Sequence, residues 1–260
     1  MQMKSNIAVY STTQDLVAYA KTLAEHLQLP LLSHTEEHYP YLLLVTPEYI
    51  GLKKQASTSQ PVYIDFLTKK WRLRLRKLSI KNEALARALG LKNCLKNQSR
   101  PTIVDATGGL ARDSFIIASL GFDLILLERS PIIYTLIHDG IKRAERDPGM
   151  HHITKRLQTV QTDAIIWLNQ LKDQDKPDII YIDPMFPEKK KSALPKKEML
   201  IFHDIVGDDQ DAENLLYTAL TCAAKRVVVK RPRLSNYLKA SCAPSFSLTG
   251  SSCRFDIYLK

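Results

Sequence analysis

Strand-like and helix-like segments alternate regularly after Pro101, and this alternation restricts the fold more than any other feature of the sequence. The apolar strand segments are 102–106, 123–128, 157–160, 178–183 and 226–230. The helical patterns between and after them are 110–120, 131–145, 163–171, 196–206 and 211–223. This order predicts an α/β fold with a mostly parallel, doubly wound sheet. Strands at 245–249 and 253–259 have no helix between them, so they predict an antiparallel C-terminal hairpin.

The first hundred residues have a less regular pattern. It predicts strands at 7–10 and 41–46 and helices at 13–28 and 82–90, while 62–67 and 71–78 are predicted to pair as a hairpin. The polar segment 92–101 is typical of a linker. We therefore expect a small N-terminal α/β subdomain over 1–100 and a larger domain over 101–260.

Nearly all of the net positive charge lies in one segment. The chain has 37 Lys and Arg against 27 Asp and Glu, a net charge of +10, and 61–100 alone holds eleven basic and two acidic residues. Arg72, Arg74 and Arg76 alternate with apolar residues, which predicts a surface strand with the three arginines on one face. A solvated face is the simpler explanation, but like charges repel one another, so a polyanion such as nucleic acid is the favoured partner.

Cysteine spacing and hydropathy exclude several classes of protein. The four cysteines form no C-x-x-C pair and no cluster with zinc spacing, so no metal site is expected. The first residues lack the apolar core of a signal peptide, and no apolar run approaches the roughly 20 residues of a membrane span. These features predict a cytoplasmic protein with no membrane partner.

The loop after the first strand of the larger domain has features of a nucleoside-binding site. Gly108 and Gly109 follow Asp105 closely, and Glu128 ends the next strand, where a carboxylate can accept hydrogen bonds from ribose hydroxyls. The loop lacks G-x-G-x-x-G and has Arg112 and Asp113 instead. These polar side chains suit the amino-acid end of S-adenosylmethionine (SAM), and the turn at Asp163 and Ala164 could reach the adenine. A tight strand–helix turn with an ordinary helix cap is the alternative.

The end of the fourth strand of this domain carries the strongest chemical signal. Asp183-Pro184-Met185-Phe186 resembles the Asp-Pro-Pro-Tyr signature of amino-group methyltransferases. Asp183 and the Pro184 carbonyl can accept hydrogen bonds from an exocyclic amine, and Phe186 can stack on an extruded base. A proline-rich turn at a strand end is the alternative.

Further basic residues are expected beside this strand end. Lys189, Lys190 and Lys191 follow it directly, and Lys230 and Arg231 lie near the end of the fifth strand. The carboxyl ends of parallel strands share one edge of a sheet, so these side chains are predicted to contact the phosphates of an RNA substrate. A mobile solvated loop is the alternative for the lysine run.

Four segments together resemble the ribosomal RNA small subunit methyltransferase J family: VDATGGLARDSF (104–115), LLERSP (126–131), YIDPMFPEKKKSALPKKEM (181–199) and VVVKRP (227–232). The resemblance implies a Rossmann-like class I SAM-dependent methyltransferase fold. It also implies methylation of a guanine N2 near the 3′ end of 16S rRNA, with the 30S subunit or its rRNA as partner. It places cofactor contacts at Arg112, Asp113, Glu128, Arg129, Asp163, Ala164 and Asp183. Ala111 stands where the family usually has glycine, and this small residue is expected to preserve the loop.

Three other functions stay open on the sequence. A methyltransferase acting on DNA or on a protein glutamine could carry the same strand end. An NAD-type oxidoreductase would need the missing third glycine. A non-catalytic RNA-binding protein would not need Asp183.

Overall fold

The N-terminal part forms a four-stranded sheet. The computed structural model describes residues 6–34, 39–98, 100–185, 201, 204–205, 207 and 211–260. The elements of this sheet are β1 (Ile7–Ser11), α1 (Val17–Leu27), β2 (Leu31–Leu32), β3 (Tyr41–Val45) and β4 (Ile50–Lys54). The strand order is β2-β1-β3-β4, with β1 parallel to both neighbours and β4 antiparallel to β3. The predictions of β1, α1 and β3 are confirmed, whereas β2 and β4 were not predicted.

Three short helices connect this sheet to the next, and here the predicted hairpin of 62–67 with 71–78 and the predicted linker at 92–101 are wrong. The helices are α2 (Lys69–Lys77), α3 (Ala84–Ala88) and α4 (Leu91–Lys96). The predicted strand 71–78 lies mostly in α2, and the predicted linker 92–101 contains most of α4. Residues 62–67 form no strand either, since only Val62 bridges to Leu52.

The helical form of α2 has a clear physical cause. Thr68 caps its first turn by accepting a hydrogen bond from the Trp71 amide at 3.3 Å. Trp71, Leu75 and Leu78 pack against the core and recur at helical spacing. The alternation that suggested a strand is therefore also compatible with a helix whose apolar stripe faces inward.

The larger sheet confirms the predicted alternation. Its elements are β5 (Ile103–Asp105), α5 (Arg112–Ser119), β6 (Leu124–Glu128), α6 (Pro131–Glu145), α7 (His151–Thr154), β7 (Leu157–Gln161), α8 (Ala164–Asn169), β8 (Ile179–Ile182), α9 (Ala212–Cys222), β9 (Arg226–Pro232), β10 (Phe246–Thr249) and β11 (Cys253–Leu259). The strand order is β10-β11-β9-β8-β5-β6-β7. Strands β5 to β9 run parallel, and β11 is antiparallel to both β9 and β10. This is the predicted Rossmann-like sheet with an antiparallel C-terminal hairpin. The predicted helix at 196–206 lies largely outside the described residues.

The register of the parallel strands brings the predicted functional residues to one edge. Asp105 is the Cα partner of Tyr181, and Ile182 is the partner of Val229. The next residues along these strands, Asp183 and Lys230, are therefore at the same level. In an open parallel sheet this carboxyl edge is where ligands bind.

The two sheets share one hydrophobic core. The Phe66 ring, from the connecting segment, stacks on Phe115 of α5 with centroids 3.9 Å apart. Arg143 of α6 donates to the Ile64 carbonyl oxygen and to Asp139. One continuous cluster of buried residues includes members of β1, β3, α5, α6 and β8. Within the described ranges, no helix is long and apolar enough to span a bilayer.

Candidate active site

The loop between β5 and α5 is built on a buried carboxyl group. The Asp105 side chain is 2% exposed, and it accepts hydrogen bonds from the Thr107 amide at 3.1 Å and the Ser114 hydroxyl at 2.5 Å. Burial raises the pKa of Asp105 to about 7, although these two hydrogen bonds oppose the rise. Asp105 therefore fixes the two ends of the loop to each other.

The same loop is joined to the end of β6. The Gly108 amide donates to the Leu127 carbonyl oxygen at 2.8 Å, and the Gly109 amide donates to Glu128 Oε2 at 2.9 Å. The Ser130 amide donates to Glu128 Oε1 at 2.7 Å. A carboxylate has about four lone-pair positions, so Glu128 can accept ribose hydroxyls as well.

Ala111 has a left-handed backbone conformation, with φ of 54°. This conformation favours glycine, which gives a reason for the glycine usually found at this position in the family that the sequence resembles. Ala111 is fully buried and caps the N-terminus of α5. The loop keeps its course with alanine in place, as the sequence predicts.

An ion-pair network occupies the end of β8 and β9. Lys230 Nζ lies 2.7 Å from Asp113 Oδ2 and 2.8 Å from Asp183 Oδ2. The Tyr181 hydroxyl donates to Asp113 at 2.5 Å, and the Asp183 amide donates to Thr107 Oγ1 at 2.6 Å. Burial alone would lower the pKa of Lys230, but the two carboxylates outweigh it and raise this pKa above its usual value.

These elements surround a cavity of about 330 Å³, a size typical of small-molecule sites. Its walls include all nine residues predicted to bind a cofactor: Asp105, Gly108, Arg112, Asp113, Glu128, Arg129, Asp163, Ala164 and Asp183. Four strand ends and the starts of α5 and α8 contribute these residues. The structure therefore brings residues 78 positions apart in the sequence into one pocket.

Asp163 has both of the roles considered for it. It caps α8 by accepting hydrogen bonds from the amides of Ile165 and Ile166 at 2.9 and 3.1 Å, and it also lines the cavity. Arg129 forms an ion pair with Asp211 at 2.8 Å. Asp211 also lines the cavity, and sequence reasoning missed it because it lies in a stretch with no strand-end signal.

Tyr181 and Thr107 are two further site residues that the sequence analysis did not select. Tyr181 is fully buried and orients Asp113, while Thr107 fixes the backbone of Asp183. Both belong to motifs already quoted, the DATGG loop and the YIDP strand end. Their roles depend on contacts across the sheet, and only the strand register reveals these.

The structure divides the residues predicted to bind RNA. Lys230 points into the cavity rather than onto an outer rim. Arg231 is 8% exposed and donates to the Asn236 carbonyl oxygen at 2.8 Å, so its present position gives no phosphate contact. Lys189, Lys190, Lys191 and the predicted stacking residue Phe186 lie outside the described residues. Pro184 is buried directly beside Asp183.

The three arginines of the basic segment do not share one face. On α2, Arg72 and Arg76 are four residues apart and lie on the same side, whereas Arg74 is rotated by about 200° from each of them. Arg72 pairs with Asp147 at 2.7 Å, and Arg74 pairs with Glu83 at 3.2 Å. The expectation of a flat arginine face on a strand is wrong. RNA binding by Arg72, Arg74 and Arg76 stays a prediction.

The geometry permits a specific kind of chemistry. A nucleoside with a cationic group fits a cavity that has Glu128 at one wall and Asp113 and Asp183 at another. Asp183, at the open end of β8, can accept a hydrogen bond from an amine held beside that nucleoside. The arrangement suits group transfer by positioning and electrostatics.

Comparison with known proteins gives three concordant results. The family model described as "Putative SAM-dependent methyltransferase" matches residues 22–260. The chain is 41% identical over 256 residues to ribosomal RNA small subunit methyltransferase J of Thioalkalivibrio sulfidiphilus, covering 98% of each protein. It is 41% identical over 258 residues to the protein of the same name from Coxiella burnetii, covering 99% of this chain and 98% of that one.

A solved structure is similar over the same length. It is the crystal structure of a SAM-dependent methyltransferase from Neisseria gonorrhoeae, with a TM-score of 0.73 and 35% identity. The match covers 97% of this chain and 95% of that chain. The oxidoreductase and the non-catalytic alternatives receive no support from any of these similarities.

Proposed function

This chain belongs to the ribosomal RNA small subunit methyltransferase J family of SAM-dependent methyltransferases, and from that premise we propose that it methylates the N2 amino group of a guanine near the 3′ end of 16S rRNA. The chain is a SAM-dependent methyltransferase of small-subunit ribosomal RNA. We propose, beyond this, which base is methylated, at which atom, and in which region of the rRNA.

The residues of the cavity fit SAM. The cofactor supplies, when bound, an electrophilic methyl group on a positively charged sulfur. Glu128, at the end of β6, would hold the ribose hydroxyls. Asp163 and Ala164 would lie by the adenine, and Arg112 and Asp113 by the amino-acid end. The acidic side chains of the cavity outnumber the basic ones, which suits a cationic ligand.

Asp183 is the observation that carries the proposal. It directly follows β8, it lines the cavity, and Lys230 and Thr107 fix its side chain and its backbone. An exocyclic amine of guanine is a poor nucleophile because its lone pair is delocalised into the ring. A carboxylate that accepts an N–H bond from this amine favours the pyramidal nitrogen and directs its lone pair towards the methyl group.

Asp183 acts by orientation and charge in this proposal. The amine loses its extra proton after transfer, so a strong general base is not required. The Pro184 carbonyl is the second acceptor, and Phe186 is the stacking residue. Removing one such preorganised contact typically costs a factor of about 10²–10³ in rate.

The test uses labelled SAM with unmodified 30S subunits and, separately, with deproteinised 16S rRNA. Digestion to nucleosides and mass spectrometry should detect labelled N2-methylguanosine, and digestion of a second sample with a base-specific ribonuclease to oligonucleotides locates it. Label on a different nucleoside would overturn the base assignment. No label in either RNA, with SAM binding demonstrated by calorimetry, would point to DNA or a protein glutamine as the substrate.

A pair of variants tests the role of Asp183. Asp183→Asn should lower the methylation rate at saturating SAM at least about 100-fold. Asp173→Asn, on an exposed turn remote from the cavity, is the matched control and should be fully active. Equal activity of Asp183→Asn and wild type would remove Asp183 from the mechanism.

A further inference from the structure

One apolar side chain projects almost completely into solvent close to the active site. Leu234 is 90% exposed, whereas the next most exposed large hydrophobic residue in the described ranges, Tyr217, is 62% exposed. Single exposed leucines are common on protein surfaces. This one is unusual because its backbone is held firmly in place.

A buried ion pair clamps the turn that carries Leu234. Arg254 of β11 donates to the carbonyl oxygens on either side of it, those of Arg233 at 3.4 Å and Ser235 at 3.0 Å. Asp256 holds the Arg254 guanidinium through two contacts of 2.7 and 3.0 Å. The side chains of Arg254 and Asp256 are 12% and 1% exposed, so the clamp is part of the protein interior.

Other contacts stiffen the same turn. The Ser235 amide and hydroxyl both donate to the Pro232 carbonyl oxygen, at 3.1 and 2.8 Å. The Arg254 guanidinium also lies 4.5 Å from the centroid of the Tyr237 ring. These hydrogen bonds therefore hold the backbone on either side of Leu234 in one conformation.

The turn lies at the reactive edge of the sheet. Leu234 follows Lys230 by four residues, and Lys230 contacts Asp183 in the cavity. Four residues of chain span at most about 14 Å, so the backbone of Leu234 lies within that distance of the backbone of Lys230. Its neighbour Arg233 is exposed and cationic, which suits the RNA backbone.

We infer that Leu234 is an apolar wedge that occupies the space in the RNA stack from which the target base is extruded. The inference rests on the proposed function. A guanine stacked between neighbours cannot reach the cavity, so it must leave the stack, which costs unstacking energy. Nucleic-acid-binding proteins offset this cost by inserting leucine and similar side chains between bases. A rigid turn is required for this role, since a mobile side chain would not keep the bases apart.

The experiment uses a synthetic, unmodified RNA hairpin. It contains the guanine that mass spectrometry identifies as the methylation site. 2-Aminopurine replaces the base next to that guanine, because its fluorescence rises when it unstacks. Wild-type protein should raise the fluorescence on binding. Leu234→Ala should abolish most of the rise and slow single-turnover methylation at least tenfold, while the SAM dissociation constant stays within twofold of wild type.

Two variants complete the test. Leu234→Met keeps a large apolar side chain and should retain the fluorescence rise and most of the rate. Leu259→Ala removes an exposed leucine from the opposite edge of the same sheet, where it pairs with Arg226, and should behave as wild type.

The outcomes separate the wedge from the proposed function. Normal rate and fluorescence with Leu234→Ala would overturn the wedge and leave the guanine-N2 assignment intact. A slower rate with an unchanged fluorescence rise would overturn it too, since Leu234 would then act after extrusion. Failure of the wild-type protein to methylate any rRNA would overturn the proposed function and the wedge together.

Discussion

Lys230 links two acidic side chains of the active site by ion pairs. Its ammonium group contacts Asp113 and Asp183 directly. Asp105, Tyr181 and Cys253 are the other titratable groups close to this trio. Without the ammonium group, the two carboxylates would repel each other, and neither side chain would be held in place.

Replacing Lys230 by methionine should therefore lower the methylation rate, because Asp183 loses the contact that fixes its side chain. Removing one preorganised electrostatic contact typically costs a factor of about 10²–10³ in rate. The measurement is single-turnover methylation at saturating SAM.

Two controls accompany this variant. Lys230→Arg keeps the positive charge and should keep most of the rate. Lys225→Met breaks a similar ion pair, with Asp178 at 2.8 Å, but at the opposite end of β9, and should leave the rate unchanged. An unchanged rate for Lys230→Met would show that Asp183 does not depend on this ammonium group for its position.

Asp105 predicts a pH dependence of stability. Its pKa is raised by burial from 3.8 to about 7 in the folded protein, so the folded state holds a proton that the unfolded state has lost. Stability is then fully present below about pH 4 and falls as the pH rises to about 7, by a few kcal/mol at most.

Asp105→Asn should remove this contribution, because its amide stays uncharged and can still contact Thr107 and Ser114. Urea unfolding of both proteins at several pH values between about 5 and 8 measures it. The wild type should lose stability relative to the variant as the pH rises. A constant difference across this range would mean that Asp105 is already ionised at the lower pH.

At the scale of the element, helix α2 has one face with basic side chains and another with apolar side chains. Trp71 and Leu75 face the core, and Lys70, Arg74 and Lys77 lie along one outer face beside Ser79 and Asn82. Among the residues that the structure describes, Lys70 and Lys77 have no acidic partner in ion-pair contact, unlike Arg72 and Arg74. The two lysines are therefore the better candidates for phosphate contacts.

Replacing Lys70 and Lys77 together by alanine should weaken binding to rRNA and reduce its salt dependence. Removing one lysine that binds a phosphate lowers the slope of log K against log salt concentration by about 1. Filter binding at several salt concentrations measures the slope. Lys21→Ala with Lys155→Ala removes the same charge from other exposed positions and should leave the slope nearly unchanged. Equal effects of the two double variants would indicate a general charge effect.

At the scale of the whole molecule, the two sheets are joined by an aromatic contact. Phe66 stacks on Phe115, and Trp71 meets both rings edge-on. Gly140 of α6 allows the segment before Phe66 to approach, since a methyl group there would lie 2.8 Å from the Ile64 carbonyl oxygen. The division near residue 100 into two domains stays a prediction. Because residues on both sides of it share this core, an unfolding experiment can test whether the two parts unfold together.

Unfolding should be one cooperative transition in calorimetry, because the core is continuous across both sheets. Phe66→Ala should lower the free energy of unfolding by about 3–5 kcal/mol and shift the whole transition. Phe246→Ala, at a half-exposed ring, should cost much less. Two transitions, of which Phe66→Ala moves only one, would instead indicate two separately folding domains.

Sequence alone determined the strands and most of the helices of the larger domain, and nine of the residues of its cavity. Long helices and buried strands carry an unambiguous apolar period, and strand order along the chain places their carboxyl ends at one edge. For this reason all nine predicted cofactor residues line one cavity. Short elements were less certain, since the order Trp71, Leu73, Leu75 fits a strand while Trp71, Leu75, Leu78 fits a helix.

The tertiary structure decided whatever depends on contacts between distant segments. Packing against the core decided that α2 is a helix rather than a strand, because its apolar side chains at helical spacing contact a hydrophobic surface. Strand register brought Lys230 to Asp183 and placed Arg231 inside, two outcomes that the same basic pair in the sequence could not distinguish. The clamp of Arg254 on the turn of Leu234 likewise joins residues twenty positions apart. Local periodicity predicts whether a segment is a helix or a strand. The partner of a charged side chain is fixed only when the strands have paired in their final register.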